Sequence, residues 1–491
     1  MTEQLNLTHE RVDDLPLLIG LMQQLGLPSL LDEHIGNHGS HQGLRNGSLA
    51  MVWLAFILSE GDHRKSSVQD WVQRHLQTFE YLLGLPLRPT DFTDDRLGNL
   101  LRRLSHTGHW EGLEAALWQT TVDVYDVQMT AVRLDSTTIT GYHTPSEDGL
   151  MQLGHSKDHR PDLPQLKLMA ASAEPAGHLL AADVVPGDCA DDPRYLPLIR
   201  RVRSLVGRNG LLYTGDCKMA ALLTRAELVD YGDYYLMPLP RTGTTARDLE
   251  GWISAVIDGE QQGRLFWQGE RLLGGGYEFT REQTAQHAGR SVLWTERVLV
   301  LRSSAQAHAM SVHLDERLAR AETALGALTP APGRGRRQIR DEASLLAAVQ
   351  AILTRERVEG LIAAAWTREA TVLTRLVGRG RSGSARATRA ETQVRYQMSS
   401  VTRNEDAIFQ QRLRLGWRVQ VTNLPEERMS AAETIRHYRG GWCQERGFHL
   451  LKDRPLGIRP LFVRKDSQII GLTRLLTLAL RLLTLIEIQV R

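Results

Sequence analysis

The chain has 491 residues, 42% of them hydrophobic and 24% charged, with a formal net charge of +2. That length is too great for one ordinary core and predicts several domains, while the near-balanced charge excludes a polybasic DNA coat but leaves room for local basic surfaces. Three scattered cysteines, Cys189, Cys217 and Cys443, exclude a disulfide framework or a zinc site. The opening residues MTEQLNLTHERVDDLP carry no apolar signal-peptide core, so a reducing cytoplasmic location is expected.

Residues 1–125 read as a helical N-terminal domain. SLAMVWLAFILSEG has a helical apolar face, SVQDWVQRHLQTFEYLLG follows, and TDDRLGNLLRRLSHTG opens on the capping residues Thr93 and Asp94. Arg96, Arg102 and Arg103 make that last helix basic. This fits either a solvated face of a helical bundle or a DNA-binding domain, and no helix-turn-helix pattern decides between them.

The period changes over residues 126–240. QMTAVRLDSTTI is a strand expected to end at Asp135. LPQLKLMAASAEPAGHLLAADVVPG reads as a hairpin turning at Glu174-Pro175-Ala176-Gly177. DDPRYLPLIRRVRSLVG is a helix for Asp191 or Asp192 to cap, GLLYTGD a short strand ending at Asp216, MAALLTRAELVDYG a helix and DYYLMPL a strand. The order β-β-β-α-β-α-β is that of a ribonuclease-H-like fold, an α/β mixed sheet flanked by helices. Residues 241–400 break the pattern with the strands LFWQGERLLGGGYEF and WTERVLVLRSSA, then Arg/Ala-rich helices. Two basic runs, APGRGRRQIR and RLVGRGRSGSARATR, fit either solvated segments or a phosphate-contacting surface.

Residues 401–491 return to the first pattern. RLRLGWRVQVTNLP is a strand. Ser430 and Glu433 form a capping box that starts a helix near Ala431. Gly440 and Gly441 each weaken that helix by up to about 1 kcal/mol relative to Ala, which predicts a kink or break before Trp442–Lys452 continues it. The apolar stretch IIGLTRLLTLALRLLTLIEI is interrupted by Arg474, Arg481 and Glu487. Since a mid-membrane Arg costs roughly 2.5–3.5 kcal/mol, a buried helix is expected rather than a membrane span.

Steps of seven return to nearly one face of a helix, so Tyr438, Glu445 and Lys452 in HYRGGWCQERGFHLLKDRP form a stripe if the helix is continuous. In a ribonuclease-H-like sheet the first and fourth strands are neighbours, which sets Asp135 beside Asp216, and a helix across that edge can add Glu445. Three hard oxygen ligands suit Mg²⁺ or Mn²⁺. Two such ions about 3.5–4 Å apart can activate a water or a 3′-hydroxyl and stabilise the leaving oxygen of a phosphodiester, with carboxyl groups converging to about 4–8 Å. Each residue alone has a plain reading, a turn cap for an Asp and a solvated charge for the Glu. Their conjunction in chain order carries the expectation.

The stretch resembles the Y-x2-R-x3-E-x6-K signature of cut-and-paste DDE transposases from bacterial insertion sequences, with Tyr438, Glu445 and Lys452 on its Tyr, Glu and Lys positions. DDRLGNLLRRL, LDSTTI, GHSKDHRPDLPQLKL, TGDCKMA and WRVQVTNLPEERMSAAETIRHYR also look like this family, over roughly residues 85–485. The resemblance implies a ribonuclease-H-like core (residues 126–240 and 401–491) interrupted by a largely β insertion (residues 241–400). It implies two divalent metal ions, DNA ends bearing terminal inverted repeats, target DNA, and a homodimer that pairs two ends. It carries Asp135, Asp216 and Glu445 over as metal ligands, and Tyr438 and Lys452 as phosphate contacts. The signature's Arg position is Gly441 here, and a helix broken at the glycines would let Arg439 take that phosphate. Lys157, His159 and Arg160 fit either phosphate contacts or a solvated loop. Trp442 fits either stacking on a displaced base or core packing. The expected activity is strand cutting and joining at insertion-sequence ends. The alternatives are a nuclease that cuts without joining and an inactive DNA-end-binding remnant.

Overall fold

The computed structural model describes residues 9–36, 43–333, 336, 338–377 and 387–490, so most of the second basic run and part of the first lie outside the described residues. The chain forms two compact units, one of Met1–Pro240, Phe279–Val298 and Gln420–Arg491, the other of Arg241–Glu278 and Leu299–Val419.

The first unit opens with the helices Leu15–Gln24, Leu27–Ile35, Asn46–Glu60, Lys65–Arg74, Leu76–Leu83, Asp94–Leu104 and Thr107–Tyr125. Thr93 holds the cap position of Asp94–Leu104 without a side-chain cap bond. Its basic face is partly structural: Arg96 pairs with Asp91 and donates to the Leu44 carbonyl at 2.7 Å, and Arg103 donates to the Ile35 carbonyl at 3.2 Å.

Strands β1 (Ala131–Thr140), β2 (Gln165–Glu174) and β3 (His178–Pro186) form an antiparallel meander. The helix Tyr195–Val206, β4 (Leu212–Thr214), the helix Leu222–Asp230 and β5 (Tyr234–Pro238) follow, as the sequence order predicts. The sheet order is β3-β2-β1-β4-β5, with β4 parallel to β1 and β5 parallel to β4. Two expectations are corrected. β1 does not end at Asp135 but runs on through Ser136 and the β-branched Thr137–Thr140, whose side chains are buried. Asp191 caps no α-helix: a short 3₁₀ turn, Asp192–Arg194, precedes the helix that starts at Tyr195, and the Asp191 carboxylate is turned to other partners.

Further strands are β6 (Arg264–Gln268), β7 (Arg271–His287), β8 (Arg290–Arg302), β9 (Ile362–Leu376), β10 (Thr388–Arg403) and β11 (Trp417–Thr422). β11 pairs antiparallel with β5 through Gln420–Thr422. In the second unit, β9 and β10 make a long two-stranded ribbon that packs with Leu314, Leu318, Leu325 and Leu345 in one apolar core.

The helix Asp466–Val490 is long and apolar enough to cross a membrane by length and composition, yet 83% of its most apolar window is buried in the fold. Gly471 permits its closest crossing, because a Cβ there would stand 2.0 Å from the Leu101 carbonyl oxygen. Both interrupting arginines find acceptors inside, although the Arg474 Nε is buried without a partner. Arg474 donates to the Leu104 carbonyl at 2.8 Å. Arg481 donates to the Leu179 and Leu180 carbonyls at 3.0 Å each and to Glu114 at 2.5 Å. Burial pushes the Arg474 guanidinium down to about 10 against the pull of Glu114.

His178 is buried with Nδ1 2.9 Å from the Thr484 hydroxyl, and burial, with the Arg481 charge adding to it, pushes its imidazole down to about 3. The unfolded chain takes that proton near pH 6.5. Stability is therefore fully present above about pH 6.5 and falls as pH drops toward 3, by about 1.4 kcal/mol per pH unit. His178→Gln should remove that dependence. Between pH 6.5 and 5 the wild type should lose about 2 kcal/mol more than the variant in urea unfolding, and equal losses would contradict the assignment.

Candidate active site

β1 and β4 run parallel in the register Val132↔Tyr213 and Arg133↔Thr214. Two residues further along each chain stand Asp135, still within β1, and Asp216, which lies beyond the end of β4 but near enough for its charge to act on Asp135. The Asp135 carboxylate accepts from the Ser136 amide at 2.7 Å and from the Lys157 ammonium at 3.2 Å. Burial raises its pKa, and the negative charge of Asp216 adds to that, while Lys157 and the amide oppose it. Asp216 accepts from the Tyr195 hydroxyl at 2.8 Å and the Lys218 amide at 3.0 Å, both on Oδ1, and so caps the turn Cys217–Ala220.

The capping box forms as predicted: Ser430 and Glu433 start the helix Ala431–Arg439. It breaks at Gly440–Gly441, and Trp442–Lys452 forms a second helix. Gln444 is buried and donates to the Ala170 carbonyl at 3.1 Å. Ala170 is the register partner of Asp135 on β2, so this helix is pinned over the strand pair at the level of Asp135. Glu445 is the next residue and is exposed. Among the described residues no three His, Cys, Asp or Glu side chains are drawn together as ready metal ligands. Asp135 and Asp216 thus lie within reach of each other's charge, and Glu445 sits on the helix that Gln444 ties to β2, without the three carboxylates converging among the described residues.

The remaining predicted residues fall as follows. Tyr438 is half-buried and packs with Ala131, Leu212, Leu236 and Leu424, on a helix separate from that of Glu445 and Lys452, so the break interrupts the predicted stripe. Lys452 is bonded to Asp158 at 2.8 Å, and Arg459 holds the other oxygen of Asp158 at 3.0 Å. Arg160 forks onto Asp162 at 2.8 and 2.7 Å. Arg439 is exposed. Trp442 is 53% exposed, which rules out core packing as its use here.

Asp191, expected only as a helix cap, has another role. It is 2% exposed and accepts from Ser136, Lys167 and Lys218 at 3.1, 2.8 and 2.5 Å. Burial raises its pKa, but the two ammonium groups outweigh that and hold it down to about 2. It ties the residue after Asp135 to the second residue after Asp216. The buried group of Arg133, Glu174 and His437 escaped notice.

The donor chemistry suits a hard divalent cation. Two carboxylates of like charge lie within reach of each other's charge, their surroundings offer oxygen rather than sulfur, and the Lys157 ammonium already sits on Asp135 as a stand-in positive charge.

The family model described as Transposase DDE domain matches residues 128–482, and the chain belongs to that family. A solved structure titled "Cryo-EM structure of piggyBac transposase synaptic complex with hairpin DNA" is similar at 10% identity and a TM-score of 0.29. The match covers 57% of this chain and 60% of that one. No curated protein matches.

Proposed function

We propose that this transposase cuts and joins DNA strands at the ends of an insertion sequence, by two-metal phosphoryl transfer on a ribonuclease-H-like core. The observation that supports the reading is the parallel β1–β4 pair, which leads Asp135 and Asp216 toward one region where the charge of one acts on the other. The sheet order β3-β2-β1-β4-β5 supports the core, and the separate unit of Arg241–Glu278 and Leu299–Val419 supports an insertion into it.

Asp135, Asp216 and Glu445 would hold Mg²⁺ or Mn²⁺. Bound there, the metal would activate the attacking water or 3′-hydroxyl and stabilise the leaving oxygen. The chain's own residues do the rest. Asp135 gives up Lys157, freeing that ammonium for a DNA phosphate. Tyr195 and the Lys218 amide fix Asp216 through Oδ1, which leaves Oδ2 available. Lys452 and Arg160 exchange Asp158 and Asp162 for phosphates, and exposed Arg439 and half-buried Tyr438 flank the same path. The exposed Trp442 indole can stack on a base at the duplex end, worth about 1–3 kcal/mol. Two copies pair two terminal inverted repeats before joining them to target DNA, on the nucleoid in the cytoplasm.

The test is incubation of the chain with Mg²⁺, linear DNA carrying both ends of its element, and a supercoiled target. Nicked ends and joined products are expected. Nicks without joined products would make the chain a nuclease, and bound but uncut DNA would make it an inactive end-binding protein.

A further inference from the structure

Gly441 stands where the signature has its Arg. Its backbone lies at φ −60° and ψ −8°, a helical conformation open to any residue, so conformation does not demand glycine here. Space favours it. A Cβ at Gly441 would stand 3.1 Å from Nη1 of Arg133 and 3.5 Å from its Cζ, so the guanidinium would have to give way slightly. Arg133 enters from β1 and is 7% exposed. Its Nη2 donates to the His437 carbonyl at 2.9 Å, and Nη1 reaches the Tyr438 carbonyl at 3.5 Å. Its Nε bonds the carboxylate of Glu174, itself 6% exposed. Glu174 also holds His437 Nε2 at 3.2 Å, and the Thr214 hydroxyl lies 3.2 Å from that nitrogen. The guanidinium thus caps the carbonyl end of the helix Ala431–Arg439, where a cation is favoured, and ties the helix break to β1, β2 and β4.

We propose that Arg133 is a positioning residue for the active site, and that Gly441 is the space it requires rather than a lost DNA contact. Arg133 precedes Asp135 by two residues on the same face of β1, and Gly441 precedes Glu445 by one helical turn. The junction therefore fixes the Glu445 helix relative to the strand that carries Asp135. Arg133 is buried and fully bonded, so it sets geometry and does not grip phosphate. The proposal rests on the reading of Asp135 and Glu445 given above.

The experiment uses the full chain with Gly441→Ala, Arg133→Met, Arg133→Lys and the double variant Arg133→Met/Gly441→Ala. DNA affinity is measured without metal, and the single-turnover cleavage rate of pre-bound DNA is measured with Mn²⁺. Arg133→Met should slow cleavage about 100-fold, the usual loss from a misplacement near 1 Å, and Gly441→Ala, which asks for a smaller shift, about tenfold, each with affinity within about threefold of wild type. Arg133→Lys should recover much of the rate, and the double variant should be no slower than Arg133→Met alone. Cleavage at the wild-type rate in Gly441→Ala, or losses that multiply in the double variant, would overturn the proposal. Should Arg133→Met fail to fold, Gly441→Ala, which adds a single methyl, decides alone. Should the wild-type chain cut no DNA, the function proposed above falls instead, and thermal unfolding decides the positioning claim. The midpoint loss of Gly441→Ala should vanish in the Arg133→Met background; its persistence would overturn the claim.

Discussion

Asp216→Asn is expected to bind end DNA within about threefold of the wild type and to cut it about a thousandfold more slowly. The affinity expectation follows because Lys and Arg contacts to phosphates supply most of the binding. The rate expectation follows because a metal supplies several kcal/mol of transition-state stabilisation, and each 1.36 kcal/mol is about tenfold in rate. Asn is the better test than Ala. Asp216 also caps the turn Cys217–Ala220 through the Lys218 amide, and Asn keeps that acceptor while losing the charge that a metal needs. Asp135→Asn and Glu445→Gln should behave alike. Nicking of pre-bound DNA with Mg²⁺, beside a binding titration without metal, separates the two effects. A near wild-type rate for Asp216→Asn would remove it from the site.

The largest stability loss should follow Glu114→Ala. Glu114 is 1% exposed and pairs with Arg481 at 2.5 Å and Arg201 at 2.8 Å, while Arg474 and Arg481 stack over the ring of the neighbouring Trp110. Its removal leaves the buried Arg481 guanidinium without its counter-charge, while Arg201 keeps Asp183, an effect of about 3–5 kcal/mol. Replacing the pair together, as Glu114→Leu with Arg481→Met, should cost less than Glu114→Ala alone, since the Arg481 charge leaves with its partner. Urea unfolding followed by tryptophan fluorescence reports both. A loss under about 1 kcal/mol for Glu114→Ala would mean that water or a shifted side chain already neutralises the cluster.

What was legible in the sequence was local. The capping box at Ser430, the break at Gly440–Gly441 and the hairpin turn at Glu174–Gly177 are written in a few adjacent residues, and each formed where expected. Tertiary pairing decided what was missed. Asp191 looks like a helix cap, but Lys167 and Lys218 lie 24 and 27 residues away in sequence and claim its carboxylate. The run Ser136–Thr140 looks polar enough to end a strand, yet its register with β2 buries it. Lys452 was placed by spacing on a stripe with Tyr438, but the break separates their helices, and Asp158, 294 residues earlier, holds its ammonium. Arg133 was invisible because nothing local distinguishes a strand arginine that will meet a helix terminus 304 residues later.

The core helix Asp466–Val490 has a consequence for synthesis. Arg474 closes on Leu104 across 370 residues, and Arg481 on Glu114 across 367. A ribosome adding about 5–20 residues per second delivers those partners roughly 20–70 s after the residues they meet, with the whole second unit made in between. Until then the early helices wait with their apolar faces uncovered, which makes the nascent chain a natural client for chaperones. The Glu445 helix leans on the same late element through Arg446 and Glu487, 2.5 Å apart. A chain that has not yet made this helix therefore lacks the element that steadies Glu445.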